Sequence, residues 1–199
     1  MATGKKNNRL LQAINAGVGH AAIALSQMLG KKIQIAVSAI DIAPTEEFLT
    51  TIHGKNDPYV VAPYIRTLGD IQGVMMVMFD RNSAIRLCDL LLSKKPDELE
   101  FIDESCQSAL KEMGSILTSA FFTTIADTTG LSVFLHIPYF AFDNVRVLTK
   151  AIARQVLGAG TNSHCIGAEF VESGTRVTGS FIFIPLKETM KVLTEKLSN

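Results

Sequence analysis

Apolar residues recur at helical spacing from about Asn8 to Leu29. Leu11, Ile14, Val18, Ala21, Ala22, Leu25 and Leu29 fall on one stripe, which predicts an amphipathic helix. Gly30 follows as a plausible C-cap. Residues 33–38 then alternate apolar and polar as a half-buried strand does. The stretch from Ala43 to Asn56 carries Pro, Thr and Gly and reads as a connection. Asp57-Pro58 opens a strand to about Arg66, and Leu68-Gly69-Asp70 reads as a turn. Residues 71–79 are almost continuously apolar, which predicts a strand buried on both faces. Asn82 or Ser83 is placed to cap a short helix to Leu92. Residues 93–100 are polar, with Lys94, Lys95, Pro96 and Asp97. A second long helix spans about 101–129, and a further one Val145–Leu157, closed by Gly158-Ala159-Gly160. Ser173-Gly174-Thr175 is a hairpin signal between strands at about 164–172 and 175–185. A last helix follows Pro185.

This order occurs twice. Residues 8–38 lie over residues 108–138 without a gap: Leu10 over Leu110, Ala21 over Phe121, Leu25 over Ile125, Gly30 over Gly130. The run Ile33, Ile35, Val37 lies over Val133, Leu135, Ile137. In a second register, displaced by 106 positions, Gly73–Phe79 falls on Gly179–Pro185, Leu87 on Leu193 and Leu91 on Leu197. Half-repeats of about 8–93 and 101–198 follow, with the polar 93–100 stretch as their boundary. A half of roughly 90 residues has too little core to be secure alone, so the two should share one core. A long period seen twice argues for a pseudo-twofold domain and not a solenoid. The expected architecture is therefore one α+β domain over 1–199, its helices packed on a continuous, mainly antiparallel sheet.

Composition narrows the function classes. With 47% hydrophobic residues in 199, the chain can fill a sizeable core. Nineteen basic residues balance nineteen acidic ones, so no basic field favours nucleic acid or an anionic membrane. The longest apolar-rich stretch, Ile116–Ala126, is interrupted by Thr118, Ser119, Thr123 and Thr124, and a membrane span needs about 20 apolar residues. Three widely spaced cysteines, Cys88, Cys106 and Cys165, suit free thiols in a reducing cytoplasm.

Candidate chemistry is confined to two polar strips. On the first helix Asn8, Gln12, Asn15 and Gly19 share a face; on the second, Ser108, Glu112, Ser115 and Ser119 hold the equivalent positions. Such a strip is ordinarily a solvated face, but its recurrence at the same place in both halves marks it as a candidate site. Gly17-Val18-Gly19 follows no strand and lies inside a helical pattern, so close helix packing explains it better than a phosphate loop. His20, His53, His136 and His164 have no metal-type spacing. Met75, Met76 and Met78 read as core.

The run from Gln12 to Leu29, QAINAGVGHAAIALSQML, resembles the first helix of the CheC/CheX/FliY family of chemotaxis phosphatases, E-x-x-N-x-G-x-G-H-A-A-x-A-L-S-x-M-L. The run Ser108–Leu117, SALKEMGSIL, resembles that family's S-A-L-x-E-x-G-N-I-L. Ala126–Leu131, Pro138 and Asp143 fit as well. The resemblance covers nearly the whole chain. It is nearest in layout to the CheC type, since both helices are present. It implies a cytoplasmic protein that recognises a phosphorylated CheY-type response regulator. It implies no cofactor of the protein's own, since the Mg²⁺ is carried by the partner. In active members the Asn carboxamide orients a water for in-line attack on the aspartyl phosphate, and the Glu pairs with a lysine of the partner. That chemistry is mostly positioning and electrostatics.

The family's site motif is Asp or Ser, then Glu, then Asn, then a Pro 23 positions after the Asn. Both halves here depart from it. In the first, Asn15 is kept, while Asn8, Gln12 and Ser38 stand for Asp or Ser, Glu and Pro. In the second, Ser108, Glu112 and Pro138 are kept, while Ser115 stands for Asn. The resemblance therefore assigns catalytic positions to Asn15, Gln12, Glu112 and Ser115, and partner contacts to Asn8, Ser108 and Glu112. Gln12 lacks the charge that strengthens a bond to a lysine, and a serine hydroxyl reaches less far than a carboxamide. Weak aspartyl-phosphate phosphatase activity at most is the expectation. The alternative is a non-catalytic interaction protein, for example an adaptor that binds CheD. A paralogue serving an unrelated response regulator is a third reading.

Overall fold

In a computed structural model, residues 3–31, 41–44, 59–157, 164–172 and 177–196 are described. In chain order these comprise α1 (Thr3–Leu29), β1 (Asp41–Pro44), β2 (Tyr59–Gly69), β3 (Gly73–Asp80), α2 (Arg81–Leu91) and α3 (Glu104–Thr129). There follow β4 (Val133–Leu135), β5 (Tyr139–Asn144), α4 (Val145–Leu157), β6 (His164–Glu172), β7 (Val177–Pro185) and α5 (Lys187–Lys196). The strand expected at 33–38 lies outside the described residues.

One sheet joins all seven strands in the order β1-β6-β7-β3-β2, and β4 and β5 share the outer edge of β2. Every pairing is antiparallel. The central pair is β3 with β7, in which Met76 lies directly opposite Ile182, the residue 106 positions further on. The strands β1 and β5, about 100 positions apart, occupy the outer flanks of β6 and β2.

Helices cover both faces. On one face α1, α2, α3 and α5 bury Ile14, Val18, Leu25, Leu87, Leu110, Leu117, Phe121 and Leu193 against Val61, Met75, Val77, Phe79 and Phe183. On the other, α4 places Val145, Leu148 and Ile152 over Val60, Val74, Met76, Met78, Ile182 and Ile184. The central strand β3 is thus buried on both sides, and its three methionines divide between the two cores. No helix among the described residues is long and apolar enough to cross a membrane.

Several boundaries differ from the sequence reading, each for a local reason. Residues 41–44 are a strand, so Ala43 and Pro44 are not part of the connection, because β6 offers them a partner edge. The strand β5 was not expected; only pairing with β2 identifies it. Neither Asn82 nor Ser83 caps α2. Asp80, the last residue of β3, does so by accepting from the Ser83 N–H at 2.8 Å. The second long helix begins at Glu104 and not near 101, because Asp103 accepts from the Cys106 N–H at 2.8 Å. Gly30 does end α1, with φ +60° and Lys31 N–H donating to Ser26 C=O at 3.2 Å.

Candidate functional site

The two strips ride on α1 and α3, which pack side by side on the same face of the sheet. Two contacts fix how the helices meet. A Cβ at Gly17 would stand 2.7 Å from the Phe121 ring, so glycine here permits the close approach. His20 Nδ1 lies 2.6 Å from Thr124 Oγ1. Thr124 donates its only proton to Ala120 C=O at 3.0 Å, so its oxygen is placed to accept from Nδ1–H of His20. Below, Gly114 lets α3 settle on β2, where an added Cβ would lie 3.1 Å from Pro63.

With Ala13, Ile14, Val18, Ala21 and Leu25 buried, α1 turns Gln12, Asn15, Gly19 and Ile23 outward, all of them exposed. Asn8 belongs to α1, but its side chain lies outside the described residues. With Leu110, Met113, Leu117, Phe121 and Ile125 buried, α3 turns Ser108, Glu112, Ser119 and Thr123 outward. Ser115 is half-buried. The structure thus brings Gln12 and Asn15 together on one turn, and Glu112 and Ser115 on another.

The two central residues differ in what they can offer. Ser115 Oγ donates to Lys111 C=O, four residues back, at 3.0 Å. That bond uses its only proton within its own helix. Asn15 presents an exposed carboxamide, with donor and acceptor on one planar group. Pro138 is half-buried in the link between β4 and β5; Ser38, its counterpart, lies outside the described residues.

Titratable groups with shifted pKa are structural. Asp103 is lowered, chiefly by the backbone bond from Cys106 at the start of α3. Asp70 is lowered by the Ser132 hydroxyl and N–H. Burial raises the thiols of Cys88 and Cys106. All three cysteines are buried. Among the described residues no group of three or more His, Cys, Asp and Glu is placed to hold a metal.

Sequence reasoning missed the His20–Thr124 link and the exposure of Ile23. The spacing of Ile23 from Gly19 carried a signal, since i and i+4 share a face. An isoleucine simply reads as core when only its type is known.

No family model matches the chain. Over 131 residues it is 29% identical to the CheY-P phosphatase CheC of Bacillus subtilis, an alignment covering 65% of this chain. The chain spans 62% of the length of that curated relative. Its fold is shared with the crystal structure of Thermotoga maritima FliY (TM-score 0.77, 17% identity), over 97% of this chain and 96% of that one. It is shared also with the structure of the CheX–CheY–BeF₃–Mg²⁺ complex from Borrelia burgdorferi (TM-score 0.60, 17% identity), over 86% and 96% of the two chains. At such identities the structural likenesses establish the fold alone.

Proposed function

We propose, from the chain's likeness to CheC and to the FliY and CheX structures, that it recognises the phosphorylated form of a CheY-type response regulator and dephosphorylates it slowly, through Asn15. The observation that carries this reading is the exposed Gln12–Asn15 turn of α1. When the receiver docks there, the Asn15 carboxamide holds a water in line with the phosphoaspartate. The Gln12 amide accepts from a lysine of the receiver. The metal stays with the receiver, so α1 needs to supply only position and dipoles. On α3, Ser108 and Glu112 contact a receiver, while Ser115, committed to Lys111 C=O, positions no water. The free thiols of Cys88 and Cys106 support a cytoplasmic setting.

The second reading, a non-catalytic interaction protein such as a CheD-binding adaptor, is favoured by that same Ser115 bond and by the uncharged Gln12. Following the decay of a phosphorylated CheY-type receiver with and without the chain decides between them. Accelerated decay that Asn15→Ala lowers by about 10²–10³ supports the phosphatase. Binding without acceleration supports the adaptor.

A further inference from the structure

Two glycines on α1, two residues apart, stand in opposite surroundings. Gly17 is needed by the fold, because any side chain there meets Phe121. Gly19 is not: among the described residues a Cβ added to it meets nothing within 4 Å. Glycine inside a helix costs stability relative to alanine, and none of the described residues packs against this position. One turn on, Ile23 is 55% exposed. Among the described residues it is the only large apolar side chain left exposed along either α1 or α3. Gln12, Asn15, Gly19 and Ile23 follow one another at spacings of three, four and four, so the bare position and the apolar one continue the polar strip in a single line. The line on α3 ends differently, in exposed Ser119 and Thr123.

We infer that Gly19 and Ile23 are the partner-contacting continuation of the Gln12–Asn15 strip. Gly19 lets the backbone of the receiver come against α1, and Ile23 anchors an apolar side chain of the receiver. The α1 strip therefore holds the receiver more tightly than the α3 strip. This rests on the reading that the partner is an aspartyl-phosphorylated receiver domain. The physics of the two strips then differs. An apolar anchor is indifferent to salt, whereas a docking contact through exposed Glu112 is screened by it.

The test measures binding of a CheY-type receiver loaded with Mg²⁺ and beryllofluoride to the full chain, at low and at high salt. Ile23→Gln should weaken binding about tenfold at both, from the loss of one buried aliphatic side chain. Thr123→Gln, at the equivalent place on α3, should change it less than about twofold. Gly19→Ala should raise the melting temperature and yet weaken binding, a combination that a purely structural glycine does not give. If the native chain binds while Ile23→Gln and Gly19→Ala leave affinity unchanged, or if Thr123→Gln weakens it as much as Ile23→Gln does, the anchor is overturned and the receiver reading stands. If the native chain binds no loaded receiver, both fall.

Discussion

The strips on α1 and α3 lie on helices packed on one face of the sheet, and they differ in where their hydrogen bonds go. On α3 the central residue is short enough to bond its own backbone, and Ser115 does so. On α1 the central residue is an exposed asparagine, whose carboxamide carries both a donor and an acceptor beyond the helix. One strip carries an exposed acid, Glu112, beside a serine; the other carries an exposed asparagine, Asn15, beside an uncharged glutamine. A polar helix face becomes a site only when its side chains have something to offer beyond the helix that carries them.

The sharpest way to break this contrast is to give α3 what it lacks. Ser115→Asn removes the bond to Lys111 and completes the run of Ser108, Glu112 and Pro138. It should raise phosphatase activity on the order of 10², the scale of one positioned polar group, and by more than Gln12→Glu on α1. A single-turnover assay on a phosphorylated receiver reads the difference. If Gln12→Glu gives the larger gain, charge and not water positioning limits the native protein.

The two α1 glycines give the next largest effect. Gly17→Ala forces the Phe121 ring aside, and that ring packs edge-on against Phe122 and Phe181. It should cost about 1–3 kcal/mol of stability as an overpacked core. Gly19→Ala should stabilise by roughly 0.5–1 kcal/mol, as expected of an open helix position. Denaturant titration of both variants measures the opposite signs; equal signs would mean that α1 and α3 do not meet at Phe121.

A smaller effect is expected at Glu112. Glu112→Ala should weaken binding of a loaded receiver by about 1 kcal/mol at low salt, and the loss should shrink as salt is added. Unchanged affinity at low salt would remove α3 from the docking surface.

The smallest effect concerns the Asp103 cap and the Asp70–Ser132 link. Both Asp103 and Asp70 have folded-state pKa values below the ordinary 3.8. Their contribution is present above that value and is lost as pH falls through the folded values. Melting temperature should therefore fall as pH drops below about 4, and the fall should be shallower in Asp103→Asn and Asp70→Asn. A wild-type slope in both variants would assign the acid sensitivity to other carboxylates.

Much of the fold was legible along the chain because it is written in local periodicity. Ile14, Val18, Ala21 and Leu25 recur at helical spacing, and the apolar run through Met75, Met76 and Met78 is long enough to require burial on both faces. Gly30 and the polar stretch at 93–100 punctuate the elements. The same spacing put Gln12 with Asn15, and Glu112 with Ser115, on exposed turns, and the identity of those residues already separated the two halves.

Other features depended on partners distant in sequence, and only the tertiary structure decided them. Residues 139–144 are a strand because the edge of β2 is free to receive them, and residues 41–44 because β6 is. Asp80 caps α2 from the end of a strand, where the chain turns without an intervening loop. Gly17 and Gly19 are the same residue type in the same helix. Phe121, more than a hundred positions away, makes one of them a packing requirement and leaves the other open. His20 is tied by Thr124 in the same way, and Ile23 is left exposed among the described residues. Local sequence fixes which way a side chain leaves its helix; what it meets there depends on surfaces that come together only when the sheet has formed.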